Sequence, residues 1–281
     1  MTRFQELAGQ ISGRDADGPD EAEPQTLVLS HGFGGDRSAW AHLMPWAVAR
    51  FRVVTYNLAG AGPDGAETYD RVRHGSLFGY ADDLLTILDE LDISDCIHVG
   101  HSMSGMIGAA AAVARPDLFS RLVLIGASPR YLNDDGYTGG FEQGDLDRLY
   151  AAAAADFQAW ATGFASAAVG MPDDVAVEEV ARTLFQIRPD IALATVKTVF
   201  QSDMRDVVPR LRRPTHLIQT CADMAVPRAV ADWLHHSIAG STLDVIDATG
   251  HLPHLTAPDA VLQCLARHLA TSGEERPTIW R

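Results

Sequence analysis

Short apolar runs alternate with helical patterns along most of the chain. Six runs have the length and composition of buried strands: residues 26–30, 52–57, 96–100, 122–125, 215–220 and 243–246. Other segments space their apolar residues as amphipathic helices do, at 38–49, 77–91, 103–114 and 258–270. This alternation predicts βαβ units, and therefore an α/β fold with a mostly parallel central sheet flanked by helices.

The middle of the chain breaks the alternation. Residues 131–205 contain helical patterns and no convincing strand, and a helical block between two strands of one sheet is most simply an inserted cap. We therefore predict a core formed by residues 1–130 and 206–281, with a helical cap at 131–205. Residues 13–25 are rich in Gly, Asp, Glu and Pro, which predicts an acidic loop between a short N-terminal element and the core.

The chain is acidic, with a formal net charge of −15 over 281 residues and Lys197 as its one lysine. Because no basic stripe could follow a phosphate backbone, we do not expect a nucleic-acid partner. The longest apolar stretch is too short to span a bilayer, and residues 1–24 lack a signal-peptide pattern. These features predict a cytoplasmic protein that does not associate with membranes.

The three cysteines, Cys96, Cys221 and Cys264, form no C-x-x-C pair. Their odd number and spacing fit a reducing compartment and argue against a disulfide framework or a zinc site. Cys96 and Cys221 lie in apolar, strand-like runs, where we expect buried thiols. No histidine and carboxylate cluster has the spacing of metal ligands, so no metal is expected.

The segment VGHSMSG, residues 99–105, runs from a predicted strand directly into a predicted helix with Ser102 at the corner. This is the pattern of a nucleophile elbow, in which a tight turn presents the serine hydroxyl at the carboxyl edge of the sheet. Gly100 supplies the small residue needed before the serine. Ser104 stands where the usual pattern has glycine, so an ordinary strand–turn–helix with an incidental serine is the alternative.

A nucleophilic serine needs a base and a carboxylate that orients the base. Asp223 follows the predicted strand at 215–220, and His251 follows the strand at 243–246. Both would therefore lie at the same sheet edge as Ser102, in the chain order Ser–Asp–His typical of this architecture. His254 is a weaker candidate for the base in the same loop. His101 adjoins the nucleophile and is expected in the helix packing or at the pocket wall.

Acyl transfer also needs two donors for the developing oxyanion. The backbone N–H of Met103, directly after the nucleophile, is one candidate. The other is the N–H of Phe33 in the glycine-rich loop HGFGG, where His31 is expected to shape the loop. An ordinary glycine turn is the alternative for this loop. The chemistry requires no cofactor.

Several segments resemble one group of α/β-hydrolases, the subfamily of the bacterial stress-response activator RsbQ and the plant strigolactone and karrikin receptors. The likeness covers residues 26–269, and G-x-S-x-S at the elbow is familiar from the group. Its most specific segments fall in the predicted cap: GGFEQGDL, ARTLFQIRPDI and KTVFQSDMRDV. The resemblance implies a V-shaped cap of four helices over a deep apolar pocket.

By matched position, the resemblance implies a substrate pocket lined by Phe33, His101, Trp160, Phe164, Val180 and Phe200. Val180 stands where the plant receptors have an aromatic residue, which implies a wider pocket there. Trp160 and Phe164 are four residues apart and would share one helix face. The alternative is that these aromatic residues only pack the cap onto the core.

The sequence therefore predicts a serine hydrolase that cleaves a small apolar ester, lactone or strigolactone-like butenolide. The alternative is a signalling protein that perceives such a ligand, cleaves it slowly or once, and then binds a protein partner. A C–C hydrolase or a cofactor-free perhydrolase would share the triad. A dehalogenase or an epoxide hydrolase is disfavoured, because those enzymes have aspartate at the position of Ser102.

Overall fold

The structure, a computed structural model, describes residues 1–13 and 24–269 of the chain. Most of the acidic loop predicted at 13–25 lies outside the described residues. Within the described part, seven strands form one sheet in the order β1-β3-β2-β4-β5-β6-β7. They are β1 (Gln10–Gly13), β2 (Thr26–Ser30), β3 (Arg52–Thr55), β4 (Cys96–His101), β5 (Phe119–Ile125), β6 (Thr215–Ala222) and β7 (Thr242–Thr249).

Strand β1 pairs antiparallel with β3, and every other pairing in the sheet is parallel. The predicted α/β fold with a mostly parallel sheet is confirmed. Strands β2 and β4 are buried along their whole length, as expected for parallel strands covered on both faces. Because β4 is the middle strand, the turn after Gly100 has neighbouring strands on both sides.

Helices cover the two faces and connect the strands. They are α1 (Arg3–Glu6), α2 (Met44–Val48), α3 (Gly65–Thr68), α4 (Leu77–Glu90), α5 (Met103–Ala114), α6 (Gln143–Ala155), α7 (Phe157–Val169), α8 (Asp174–Phe185), α9 (Pro189–Phe200), α10 (Arg228–Ser237), α11 (Pro253–Thr256) and α12 (Pro258–Leu269). None of the helices in the described residues is long and apolar enough to cross a membrane.

The helix predicted at 38–49 is wrong as one element. The structure has a 3₁₀ turn at Arg37–Trp40, begun by the Asp36 side chain, and then the separate helix α2. Pro45 lies in the first turn of α2. A proline cannot donate the backbone hydrogen bond that a continuous helix would require there, so the segment forms two short pieces.

Helices α6 to α9 lie between β5 and β6, where the sequence predicted an insertion. Helix α7 packs against α6 and α8, and α6 also packs against α9. Buried residues of these helices join those of α4 and α5 in one apolar cluster. The exact cap boundaries, residues 131 and 205, stay a prediction.

The prediction that Cys221 is buried is wrong. Cys96 and Cys264 are buried, but Cys221 is exposed, because β6 leaves the covered part of the sheet at its last two residues. All three thiols are free.

The N-terminal helix α1 is attached to the core by a buried carboxylate. Asp83 on α4 accepts two hydrogen bonds from the Arg3 guanidinium, at 3.0 and 2.7 Å. Arg73 Nη2 lies 2.6 Å from the same carboxylate and His74 Nε2 lies 3.0 Å from it. Burial opposes ionisation, but the hydrogen bonds from His74 and Arg3 dominate and lower the pKa of Asp83.

We expect Asp83→Asn to lower the free energy of unfolding by about 2 kcal/mol at pH 7, because Arg3 and Arg73 lose their buried anion. A carboxyl group with a lowered folded-state pKa stabilises the protein above its unfolded pKa, and loses this effect as pH falls. The difference between wild type and variant should therefore shrink below about pH 4. Urea denaturation of both proteins, from pH 7 to below about pH 4, measures this difference in the free energy of unfolding. Asp117→Asn, at an exposed ion pair with Arg115, is the control and should change stability little.

Candidate active site

Ser102 occupies a strained corner between β4 and α5. Its backbone has φ 55° and ψ −122°, a conformation that non-glycine residues rarely adopt. The Ser102 N–H donates to the carbonyl of Ile125 at the end of β5, which holds the corner against the sheet. A Cβ on Gly100 would collide with the carbonyl group of Ser104. The turn therefore requires glycine at position 100.

The structure brings Ser102, His251 and Asp223 together at the carboxyl edge of the sheet. His251 Nε2 lies 2.9 Å from Ser102 Oγ, and His251 Nδ1 lies 2.8 Å from Asp223 Oδ2. Ser102 follows β4, Asp223 follows β6 and His251 follows β7. Because parallel strands end at the same edge, three segments distant in sequence form one continuous chain of hydrogen bonds.

The Asp223 carboxylate is held by its own loop, and its side chain is almost completely buried. Its Oδ1 accepts the backbone N–H groups of Ala225 and Val226 at 2.8 and 3.1 Å. Its Oδ2 accepts from His251 and, at 3.3 Å, from the Gln219 amide. An ionised acceptor at this position favours the proton on His251 Nδ1, which leaves Nε2 free to accept the Ser102 proton.

The backbone of His251 is fixed from two sides. Its N–H donates to the carbonyl of Ala168 in α7 at 2.7 Å. Its carbonyl accepts from His101 Nε2 at 2.8 Å. A Cβ on Gly250 would collide with the carbonyl group of Val169. Only glycine permits this close approach between the histidine loop and the end of α7.

His101 lies behind the triad. It is buried, and its ring packs against those of His251 and His254, with centroids 4.9 and 4.4 Å apart. Burial lowers the pKa of His101 well below its ordinary value and lowers that of His254 to about 3. Both rings are therefore neutral next to His251. In this position His101 supports the histidine loop, and its predicted contact with substrate stays a prediction.

Phe33 and Met103 line one small apolar cavity, together with Leu58, Tyr80 and Ile187. Met103 is the first residue of α5, so its N–H has no acceptor within the helix. Among the described residues, the Phe33 N–H also donates no backbone hydrogen bond. Both amides are thus available to a ligand, and their assignment to an oxyanion hole stays a prediction.

Three of the predicted pocket residues lie together, and two others lie elsewhere in the same apolar region. Phe33, Trp160 and Phe164 form one aromatic cluster, with ring centroids 5.2 to 6.4 Å apart. Phe200 is buried and its ring packs 4.7 Å from that of Tyr131. Val180 on α8 is half-buried and packs against the main apolar cluster. The aromatic cluster joins the HGFGG loop to α7, and its contact with substrate stays a prediction.

Tyr131 was not predicted from the sequence. Its hydroxyl lies 3.4 Å from Ser102 Oγ, and its side chain is buried in the loop after β5. Burial raises the pKa of Tyr131, so the hydroxyl keeps its proton and can donate to oxygen atoms at the site. A tyrosine in a loop carries no periodic signal, so only the folded structure identifies it.

The chain is similar in sequence to known proteins over most of its length. A family profile described as alpha/beta hydrolase fold matches residues 25–258. A probable esterase from Oryza sativa subsp. japonica is 51% identical over 89% of this chain and 93% of its own length. A karrikin insensitive 2 receptor from Petunia hybrida is 49% identical over 87% of this chain and 92% of its own length. A strigolactone esterase from Arabidopsis thaliana is 47% identical, covering 86% and 91%. The predicted resemblance is confirmed.

We expect Asp223→Asn to lower kcat by about 10⁴-fold with little change in fold. The amide oxygen can still accept from Ala225 and Val226, but the amide nitrogen would face His251 Nδ1. The histidine would then carry its proton on Nε2 and could not accept the Ser102 proton. Ester hydrolysis and thermal melting measure the two effects.

The control is Asp247→Asn, a carboxyl-to-amide change on the exposed side of β7. It should leave kcat unchanged. Comparable activity in both variants would contradict the role of Asp223.

Proposed function

The chain belongs to the α/β-hydrolase family, and we propose that it is a serine esterase for small apolar esters or lactones. The observation that carries this proposal is the unbroken hydrogen-bond chain Asp223–His251–Ser102, with links of 2.8 and 2.9 Å. A nucleophile, a base and an orienting carboxylate in this order are what acyl transfer requires.

In the proposed reaction, His251 Nε2 takes the proton of Ser102 as Oγ attacks the carbonyl carbon of the substrate. The carbonyl oxygen becomes negative and accepts from the N–H groups of Phe33 and Met103. The bond to the leaving alcohol then breaks, and His251 returns the proton to the alcohol oxygen. Water attacks the acyl-enzyme in the same way and restores Ser102.

The surroundings of the site favour a compact apolar substrate. The cavity next to Phe33 and Met103 has mostly apolar walls, and the aromatic cluster of Phe33, Trp160 and Phe164 lies beside it. A small apolar cavity with few polar groups suits a short acyl ester or a lactone. The relative from Arabidopsis thaliana is named a strigolactone esterase, which supports a butenolide as substrate.

A second function, ligand perception, is favoured by one comparison. The Petunia hybrida relative is named a receptor at 49% identity. The same triad could serve perception if the acyl-enzyme were hydrolysed slowly and the protein then bound a protein partner. We also propose that either function is carried out in the cytoplasm, which the three free thiols support.

We expect wild type to hydrolyse p-nitrophenyl acetate and a strigolactone-like butenolide enol ether, and Ser102→Ala to lose at least about 10³-fold in rate. Ser76→Ala is the control, because Ser76 is exposed and its side chain makes no capping bond. Multiple turnovers by wild type support the esterase. One equivalent of product followed by arrest would favour perception. Equal rates in Ser102→Ala and wild type would contradict both functions.

We expect kcat/KM to fall from p-nitrophenyl acetate to the octanoate, because the cavity is small. Ile187→Ala should raise the octanoate-to-acetate ratio, since Ile187 is buried and lines the cavity. Ile191→Ala is the matched control, because Ile191 belongs to the same small apolar cluster but does not line that cavity. A ratio changed equally by both variants would show that loss of packing, and not cavity size, controls selectivity.

A further inference from the structure

His31 is fully buried at the start of the HGFGG loop, and both of its ring nitrogens have partners. The backbone N–H of Leu58 donates to His31 Nε2 at 2.9 Å. His31 Nδ1 lies 2.8 Å from the carbonyl oxygen of Gly32. The proposed reaction does not use this imidazole directly, yet its partner Gly32 directly precedes Phe33, whose amide the reaction needs.

These two contacts determine where the proton of His31 lies. A backbone N–H can only donate, so Nε2 must be the unprotonated acceptor. A carbonyl oxygen can only accept, so Nδ1 must carry the proton. Burial lowers the pKa of His31, although Gly32 and Asp36 favour the charged form. The neutral ring with its proton on Nδ1 is therefore the form that satisfies both partners.

The Gly32 carbonyl belongs to the same peptide unit as the Phe33 N–H. It accepts from His31 Nδ1 and, at 3.3 Å, from the Gly35 N–H. The Gly32–Phe33 peptide is trans, so its C=O and N–H point in opposite directions. Two donors on the carbonyl thus fix the direction in which the Phe33 N–H points.

A second contact connects His31 to the nucleophile elbow. Ser104 Oγ donates to the carbonyl oxygen of His31 at 2.5 Å, and Ser104 is fully buried. Ser104 directly follows Met103, which supplies the other proposed oxyanion donor. A glycine at position 104 would lack this hydroxyl, so the departure from the usual G-x-S-x-G pattern adds a link between the two halves of the oxyanion hole.

We propose that His31, as the neutral Nδ1–H tautomer, is a positioning residue that orients the Phe33 amide for the oxyanion, with Ser104 anchoring it to the elbow. This inference rests on the proposed esterase function. Backbone groups contact both ring nitrogens, and the proposed reaction transfers no proton to or from the imidazole. It acts through one peptide plane, so its loss should affect the transition state more than the binding of the ground state.

Two substitutions separate the two hydrogen bonds of the ring. In His31→Asn, the side-chain nitrogen can replace Nδ1 and donate to Gly32, while the Leu58 N–H loses its acceptor. In His31→Gln, the side-chain oxygen can replace Nε2 and accept from Leu58, while Gly32 loses the donor. A buried, unpaired N–H is costly, so His31→Asn should be the less stable variant.

We expect the opposite order for activity, so that the more stable variant, His31→Gln, is the less active one. His31→Gln should lower kcat for p-nitrophenyl acetate by about 30-fold or more with KM within about twofold, whereas His31→Asn should lose less than about fivefold. The loss of kcat in Ser104→Ala should be smaller than that in His31→Gln and larger than that in His31→Asn. If His31 had only a structural role, the variant with the lower melting temperature, His31→Asn, would also have the lower kcat.

A second readout addresses the oxyanion itself. Sulfur is a poorer hydrogen-bond acceptor than oxygen, so the rate ratio of p-nitrophenyl acetate to its thionoacetate analogue reports on the two amide donors. This ratio should fall in His31→Gln and stay near the wild-type value in His31→Asn. Equal losses of kcat in both variants, with an unchanged ratio, would overturn the proposal.

The tautomer can be tested without turnover. In protein with ¹⁵N-labelled histidine, the His31 signals, identified by their absence in His31→Asn, should show a protonated Nδ1 and an unprotonated Nε2. A proton on Nε2 would overturn the proposal whether or not the protein is an esterase. Wild-type activity that survives in Ser102→Ala would refute the proposed function instead, so the two failures are distinguishable.

Discussion

The strained backbone of Ser102 is the constraint on which the rest of the site depends. For a residue other than glycine, a backbone conformation with positive φ costs on the order of 1–3 kcal/mol. Such a conformation persists only where the surrounding structure enforces it. Here the enforcement comes from the Ser102 N–H bond to Ile125 and from the close contact of Gly100 with the Ser104 carbonyl. Because β4 is the middle strand, both neighbouring strands support the turn, and the stability of the whole sheet offsets the local strain.

The catalytic groups around this corner are held mainly by hydrogen bonds from neutral groups. His101 and His254 pack next to His251, and burial keeps both rings neutral. The neutral His101 ring donates to the His251 carbonyl without adding a positive charge that would oppose the imidazolium formed during catalysis. Asp223 is then the nearby anion that faces His251. A framework of neutral donors around one ionised carboxylate is well suited to preorganising a site in a low-dielectric interior.

Features that depend on a local sequence pattern could be predicted from the sequence. Features that depend on contacts between distant segments could not. Six strands and the position of Ser102, Asp223 and His251 at one sheet edge could be inferred, because apolar runs and chain order carry that information. Strand β1 is short and mostly exposed, so no apolar run indicated it, and only pairing with β3 makes it a strand. Tyr131 and Gln219 approach the triad from a loop and from a strand interior, respectively. Their roles depend on three-dimensional proximity that no spacing in the sequence encodes.

Whether such a site acts as an enzyme or a receptor depends on a step after the triad has acted. In the proposed reaction, the first half needs the Ser102–His251 pair, whose side chains lie 2.9 Å apart, and the two amides predicted to hold the oxyanion. The second half needs water to reach His251 Nε2 while the acyl group occupies the site. The Tyr131 hydroxyl lies 3.4 Å from Ser102 Oγ, and the aromatic cluster of Phe33, Trp160 and Phe164 connects the HGFGG loop to α7. Helix α7 also accepts the His251 N–H through Ala168. Helix α7 is therefore hydrogen-bonded to the residue that must activate water in the proposed reaction, so the packing of α7 would influence the lifetime of the acyl-enzyme.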